Sequence, residues 1–334
     1  MRDTTIHCGI FGYGKMGRIR AAAIQESGLG QVSKVYDVQP LADCHYPQVT
    51  KESGILDDPE IEAVFICTPN YRIPELCKAA MRAGKHVFAE KPPAFNAAQL
   101  EEVIAVERDT GKKLMYGFNH RHHGSIQKMK EIVDRGDMGR ILWMRGRYGK
   151  EVDEDYFKGW RADPEKAGGG ILLDQGIHML DLFLYFAGPF DEVHALVSNL
   201  FWQTPGLEDN VFAIMRNSET GVCASLHSTM TQWRYLFSLE VFLQKGALIL
   251  NGLKTTSGAY GEEELAIKYN RVHPERGEFE SEEKIIFKRD ESWLEETKAF
   301  FFMIYSKNKS STPGSREAAE VMRQIDRIYK FQQP

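Results

Sequence analysis

Over the first 120 or so residues, short apolar runs alternate with segments whose apolar positions recur at helical spacing. Residues 6–11 read as a buried strand; a glycine-rich turn follows, then a helix over about 16–27. A second strand is predicted at 32–38. A third apolar run, 62–67, is ended by Thr68-Pro69-Asn70, and a helix through 74–83 is stopped by Gly84. Residues 85–89 form another strand, ended by Glu90-Lys91-Pro92-Pro93. Asn96 is placed as N-cap of a helix over 97–109, whose Leu100, Val103 and Ile104 share one face. A further strand is expected at 113–118. Strands alternating with helices through short links imply an α/β fold with a doubly wound parallel sheet.

The pattern changes after about residue 120. One helix is predicted at 125–135 and a strand at 141–148, and Gly168-Gly169-Gly170 leads into an apolar helix. Strand-like runs then follow at 193–201, 210–216, 222–230, 237–250, 265–269 and 285–287, separated by turn residues, as in a mostly antiparallel sheet. Helices at 292–305 and 315–331 close the chain, with a loop at 306–314 between them. A chain of 334 residues holds about two domains at ~150 residues each. The boundary is placed near residues 119–124, giving a dinucleotide-binding domain over 1–120 and an α+β substrate-binding and oligomerisation domain over 121–334.

Composition narrows the function classes. Lys plus Arg number 42 and Asp plus Glu 47, for a net charge of −5, so there is no global basic field for nucleic acid or anionic membrane. The hydrophobic share of 43% and charged share of 27% are those of an ordinary globular protein. Cys8, Cys44, Cys67, Cys77 and Cys223 are scattered, odd in number and without a CxxC pair. That argues against a disulfide framework and a zinc site, and fits a reducing compartment. The opening apolar run is too short for a signal peptide and no run is long enough to span a membrane, so a cytoplasmic location is expected.

Gly12-Tyr13-Gly14-Lys15-Met16-Gly17 is a GxGxxG run set between a predicted strand and a predicted helix. Gly12 permits a tight turn, Gly14 lets backbone approach a pyrophosphate, and Gly17 lets helix and strand pack closely. The helix N-terminus offers N–H groups and positive partial charge to phosphates. Asp37 ends the second strand, 20 residues beyond Gly17. A carboxylate there accepts from ribose hydroxyls and repels a 2′-phosphate, and its neighbours supply no arginine, so NAD is favoured over NADP; the other reading is an aspartate capping a turn.

Two segments carry candidate chemistry. Lys91 lies at the carboxyl end of a parallel strand, the edge where such sheets take ligands, with prolines stiffening the backbone after it. Its ammonium suits stabilising a developing alkoxide; the alternative is a surface lysine in a turn. Asp174 and His178 are four residues apart on a predicted helix and share a face. A carboxylate beside an imidazole orients a general acid–base; the alternative is a core histidine with a capping aspartate. The glycines at 168–170 and 176 would let a nicotinamide ring approach. Asp181 is read as a packing or interface acid.

These pieces, taken in order, resemble the glucose–fructose oxidoreductase, inositol dehydrogenase and rhizopine-catabolism (Gfo/Idh/MocA) family. The resemblance runs from Gly12–Gly17 through Thr68-Pro69-Asn70, Glu90-Lys91-Pro92, Gly117-Phe118-Asn119 and Trp160-Arg161 to Asp174–His178. It implies an amino-terminal Rossmann domain, a carboxy-terminal domain with an open sheet, tightly held NAD(H) or NADP(H), and oxidation or reduction of a ring carbon on a sugar, nucleotide sugar or cyclitol. It implies homodimers or homotetramers joined through the sheet. By this resemblance Lys91 sits by the reacting carbon, His178 is the acid–base and Asp174 its partner. Thr68, Pro69, Asn70, Glu90 and Lys91 line the nicotinamide side, Trp160 and Arg161 help to close the site, and Asn119 touches cofactor or substrate. Many members have a histidine three residues after Thr-Pro-Asn; this chain has Ile73.

The remaining features are expected to be structural. Residues 119–123, Asn-His-Arg-His-His, read as a polar loop rather than a metal site, and no metal is expected. Glu262-Glu263-Glu264 and residues 280–283 read as solvated turns, and Phe300, Phe301, Phe302 and Tyr305 as core or interface packing. Two other functions stay open: a glycoside hydrolase in which NAD is transiently reduced, and an NAD-binding regulator without turnover.

Overall fold

A computed structural model describes residues 5–41, 43–272, 282–306 and 314–332. In chain order the first elements are β1 (Ile6–Phe11), α1 (Lys15–Ser27), β2 (Gly30–Tyr36), β3 (Gln48–Val49), α2 (Ser53–Leu56), β4 (Ala63–Ile66), α3 (Ile73–Arg82), β5 (His86–Ala89), α4 (Ala97–Thr110) and β6 (Leu114–Tyr116). They are followed by α5 (Gly124–Arg135), β7 (Ile141–Gly149), α6 (Pro164–Ala167) and α7 (Ile177–Ala187). The chain continues through β8 (Glu192–Ser198), β9 (Asn210–Arg216), β10 (Cys223–Thr229), β11 (Leu236–Leu243), β12 (Gly246–Asn251), β13 (Glu263–Tyr269) and β14 (Glu283–Phe287) to α8 (Ser292–Tyr305) and α9 (Ser315–Tyr329).

The chain forms two units, and they are not the two halves of one cut. One holds Met1–Asn119, Glu165–Gly168 and Ser292–Met322; the other holds His120–Pro164, Gly169–Glu291 and Arg323–Pro334. The expected junction near 119–124 is one of several crossings. The chain returns to the first unit because α8 is apolar on the face that α1 leaves uncovered: Phe300 and Phe301 are fully buried, whereas Phe302 and Tyr305 are exposed.

The first unit carries a six-stranded sheet in the order β3-β2-β1-β4-β5-β6, with every pair parallel. This is the doubly wound arrangement, with its crossover between β1 and β4. Its strands are apolar on both faces because helices cover both: Phe65 stacks on Phe88 at 5.1 Å between centroids and meets Phe300 edge-on at 5.5 Å. Asn96 caps α4, its side chain accepting from the Gln99 N–H.

The second unit carries an eight-stranded sheet in the order β14-β13-β12-β11-β7-β10-β9-β8. All neighbours are antiparallel except β7 and β10, which are parallel. The apolar run 237–250, expected as one strand, is a hairpin of β11 and β12. Gln244 and Lys245 turn between them, and both strands are apolar throughout because they lie at the middle of the sheet. One face is covered by α7, which sits so close to β7 that a Cβ on Gly146 would lie 2.5 Å from Met179. On the other face Trp143 stacks on Phe242 at 3.9 Å, Phe212 stacks on His227 at 3.9 Å, and Leu196 and Ile214 are exposed.

Two expectations of solvated polar segments are corrected. Residues 119–123 are not an exposed loop: Arg121 forms a buried two-pronged pair with Asp181, at 2.7 and 2.5 Å. His123 Nδ1 lies 2.8 Å from Glu263, which also accepts from the backbone N–H groups of Ser125 and Lys254. Glu263 is therefore buried at the start of β13, while Glu262 beside it is exposed, because strand alternation turns the two in opposite directions. Burial pushes the Glu263 carboxyl up, but the His123 hydrogen bond and charge and the two N–H donors hold it below its ordinary value. Of residues 280–283, Glu282 and Glu283 are exposed, and 280 and 281 lie outside the described residues, as does most of the loop expected at 306–314. No helix among the described residues is long and apolar enough to cross a membrane, and no group of three metal-ligating side chains occurs among them. All five cysteines are free thiols.

Removing one partner of a buried ion pair strands the other. Asp181→Ala is expected to destabilise the protein by about 3–5 kcal/mol in urea unfolding; a loss below about 1 kcal/mol would show that the pair does not anchor α7.

Candidate active site

The parallel sheet brings four segments to one edge. Gly12–Gly17 follows β1, Thr68-Pro69-Asn70 follows β4, Glu90-Lys91-Pro92 follows β5 and Gly117-Phe118-Asn119 follows β6, all at the carboxyl ends of their strands. Gly12 has φ +83°, and a Cβ there would lie 2.6 Å from the Cys67 carbonyl oxygen. A Cβ on Gly17 would lie 2.1 Å from the Gly12 oxygen, so the turn closes only with glycine at both places. Gly14 differs: a Cβ there meets nothing within 4 Å, and Gly14, Lys15 and Met16 face outward at the start of α1. Open backbone at a helix N-terminus is what a pyrophosphate needs.

Asp37, just beyond β2, is half-buried. One carboxylate oxygen accepts from the Tyr13 N–H at 2.7 Å and the other from the Gln39 N–H at 3.1 Å. It therefore braces the glycine turn as well as presenting a fixed anion beside it. Tyr13 itself is buried, with Tyr46 edge-on to its ring and the Arg18 guanidinium over it. Thr68 Oγ1 is buried and has no hydrogen-bond partner in the protein. An orphaned hydroxyl next to an open glycine turn fits a bound dinucleotide.

The amides of the other two segments are engaged by protein. Asn70 donates to the Ala167 carbonyl at 2.8 Å, and Asn119 to the Ser292 hydroxyl at 3.0 Å. Glu90, expected to line the nicotinamide side, accepts from Arg20 Nε at 2.7 Å. Arg20 is fully buried and also pairs with Glu296 at 2.7 Å, with its guanidinium over the rings of Phe88 and Trp293. Burial opposes its charge, but the two carboxylates more than offset this and raise its pKa. Lys91 follows immediately, half-buried, with Pro92 and Pro93 buried after it and a cis peptide at Lys91-Pro92.

The second unit holds the other candidate residues. A π-helical turn, Leu172–Gly176, precedes α7 and carries Asp174. Asp174 accepts from Lys150 Nζ at 3.1 Å and from the Tyr156 hydroxyl at 3.0 Å. His178, in the first turn of α7, is 5% exposed. Its imidazole stacks on that of His120 at 3.9 Å between centroids and 19° between planes. His120 Nε2 in turn lies 2.9 Å from the Tyr148 hydroxyl. Burial, with further contributions from neighbouring groups, raises the pKa of Tyr148, Tyr156 and Tyr260, so these phenols stay protonated. Trp160 and Arg161 lie on a short 3-10 turn, the guanidinium 4.3 Å from the Trp160 ring centroid.

The glycines before and within the π-helical turn serve protein packing. A Cβ on Gly170 would lie 1.9 Å from the Glu208 carbonyl oxygen, and one on Gly176 would lie 2.9 Å from Ser228 Oγ. Sequence reasoning missed Arg20, His120, Tyr148, Lys150 and Tyr156. Lys150 was the most accessible of these: it is a lone cation at the end of the alternating strand β7, close in sequence to Tyr156.

A family model described as "Oxidoreductase family, NAD-binding Rossmann fold" matches residues 6–118, and one for the GFO/IDH/MocA C-terminal domain matches 126–249. The 1,5-anhydro-D-fructose reductase of Ensifer adhaerens is 30% identical over 66% of this chain and 68% of its own. The chain belongs to the GFO/IDH/MocA oxidoreductase family. Another member, the myo-inositol 2-dehydrogenase of Thermotoga maritima, is 25% identical over 77% of this chain and 78% of its own. Among solved structures, a levoglucosan dehydrogenase in complex with NADH and levoglucosan superposes with a TM-score of 0.86 at 22% identity, covering 98% of this chain and 97% of that one. The protein is thus an NAD-binding oxidoreductase with this family's fold.

The glycine turn predicts a separation of effects. Gly14→Val is expected to leave the melting temperature unchanged and weaken dinucleotide binding by at least about tenfold in a fluorescence titration, about 1.4 kcal/mol. Gly17→Ala is expected to lower the melting temperature itself. Equal binding by Gly14→Val would show that the turn is not the pyrophosphate site.

Proposed function

We propose that this oxidoreductase interconverts a secondary alcohol and a ketone on the ring of a sugar, nucleotide sugar or cyclitol. NAD(H) is the redox partner, and Lys91, Asp174 and His178 are the catalytic groups. The carrying observation is the buried His178 one helical turn after Asp174, whose carboxylate is fixed by Lys150 and Tyr156. A histidine needed only for packing has no use for a carboxylate anchored by an ammonium and a phenol. The nicotinamide, when bound, takes or returns the hydride. His178 takes the proton from the reacting hydroxyl, or returns it to the alkoxide in the other direction. Lys91 steadies the charge on that oxygen, and Asp174 fixes the geometry in which the proton moves.

Dinucleotide contacts fall to Gly12, Tyr13, Gly14, Lys15, Met16 and Gly17, to Thr68, Pro69 and Asn70, and to Glu90 and Lys91, with Trp160 and Arg161 closing the site. Asn119 is a further substrate contact, held for that role by Ser292. NAD is preferred over NADP because Asp37, anchored by two backbone N–H groups, is a fixed anion where a 2′-phosphate would lie. The uncovered sheet face joins two copies of the chain: Leu196, Phe212, Ile214 and Trp143 are exposed there together, which a lone chain rarely tolerates over a large patch.

His178→Ala is expected to lower turnover on a cognate polyol by about 10²–10⁴-fold while dinucleotide binding persists; near-normal turnover would assign the proton to another group. Asp37→Ser combined with Val38→Arg is expected to reverse the NAD-to-NADP ratio of kcat/KM, and an unchanged ratio refutes the ribose role. Ile214→Glu is expected to reduce the mass seen by light scattering to that of one chain, and a mass unchanged by it refutes the sheet-face contact.

A further inference from the structure

One group of side chains in the second unit has no part in the chemistry above. Tyr156, whose hydroxyl binds Asp174, meets Phe157 edge-on at 5.1 Å between centroids. Phe157 lies 4.6 Å from Trp202, Trp202 lies 5.1 Å from Phe201, and Phe201 meets Trp233 at 4.8 Å. Five rings thus run in unbroken contact from the anchored carboxylate outward. The far end is open to solvent: Phe201 is 57% exposed and Trp233 53%. The near end packs on Ile171 and Met230, against the π-helical turn itself.

Three further features argue for a ligand. Tyr156, Phe157 and Trp202 line a cleft of about 240 Å³ that Arg161 and Thr204 also border. Asn199, at the end of β8, donates from Nδ2 to the Thr204 carbonyl at 2.7 Å, and its Oδ1 is buried without a hydrogen-bond partner in the protein. Trp233 holds φ +57° and Gln203 φ +50°, and for a bulky aromatic residue that backbone is strained. Aromatic walls with a few polar groups, one of them an unused acceptor, describe a small-molecule site rather than a packing defect.

We infer that this strip is a subsite for the second ring of a glycoside whose first ring is the one oxidised or reduced, an inference that rests on the function proposed above. The C–H-lined face of a pyranose complements the negative face of an aromatic ring, and its hydroxyls suit Asn199 Oδ1 and the Arg161 guanidinium. The rings stand at the ends of β8 and β10, apart from the flat face that carries Leu196, Phe212 and Ile214, so a second copy on that face does not account for them.

The test compares methyl β-D-glucopyranoside with cellobiose on the cofactor-loaded protein, by calorimetric affinity and by kcat/KM, in the natural chain and in Trp233→Ala and Phe201→Ala. Both replaced side chains are more than half exposed, so folding survives. The expected result is a preference for cellobiose of about tenfold or more, falling towards unity in both variants. Equal values for the two sugars, or losses in the variants that are the same for both, overturn the subsite while leaving the proposed reaction standing. A variant that changes the mass in light scattering without changing the preference overturns it in favour of a contact between copies. Binding of neither sugar overturns the subsite; the proposed reaction is then judged separately, by turnover on a panel of polyols, aldoses and nucleotide sugars.

Discussion

A single buried guanidinium holds the first unit together. Arg20 leaves α1 a few residues after the glycine turn and pairs with Glu90 at the end of β5 and with Glu296 on α8. Its charge is desolvated, so its carboxylate partners are not optional; removing either leaves an uncompensated ion in the core. Three elements far apart in the chain are thereby tied at one point: the helix that begins at the dinucleotide turn, the strand end that carries Lys91, and the helix that returns from near the C-terminus. A Cβ on Gly117 would lie 3.0 Å from both Arg20 and Glu90, so the end of β6 is fitted to the same cluster. The carboxyl edge of the sheet owes its shape to this ionic knot as much as to strand pairing.

The second unit follows the same logic with different partners. The Arg121–Asp181 pair fixes α7, and the contact of His123 with Glu263 fixes the start of α5 to β13. Between these anchors lies the array of His178, His120 and Tyr148. Its phenols keep their protons, so they act there as hydrogen-bond partners of fixed character. Asp174 belongs to the same design, because its two donors come from the end of β7 and the segment after it. An imidazole surrounded in this way has little freedom to turn, which is what a proton carrier in a hydride-transfer enzyme requires.

What the sequence disclosed follows from the range of each signal. The Rossmann half was legible almost to its boundaries, since buried parallel strands read as apolar runs and glycine, proline and asparagine mark their ends. Lys91, Asp174 and His178 could be singled out because each lies in a compact motif. Arg20, His120 and Lys150 could not, because their partners lie 24 to 276 residues away and a lone charge in a helix reads as a solvated one. The same blindness made Glu263 look like part of an exposed acidic turn. The hairpin of β11 and β12 was hidden because a strand at the centre of a sheet shows no polar alternation to mark where it ends. The glycines at 170 and 176 were noticed, but only coordinates show that a carbonyl and a serine, not a ligand, occupy the space they leave.

The two exposed apolar regions of the second unit differ in a way that bears on use. The open face of the sheet places Leu196, Phe212 and Ile214 beside charge pairs such as Arg145 with Glu240 and Arg216 with Glu192. Flat, alternating and bordered by neutralised charges, it suits another flat protein surface, and burying it exposes no unpaired ion. The aromatic strip is neither flat nor bordered in that way. Its rings meet edge to face, leave a cleft between them and lie next to a buried acceptor that protein does not satisfy. Such a surface gains little from a planar partner, which would leave the cleft unfilled and Asn199 Oδ1 without a donor. A ring-shaped ligand with hydroxyls on its edge satisfies both, so the geometry separates assembly from substrate choice within one sheet.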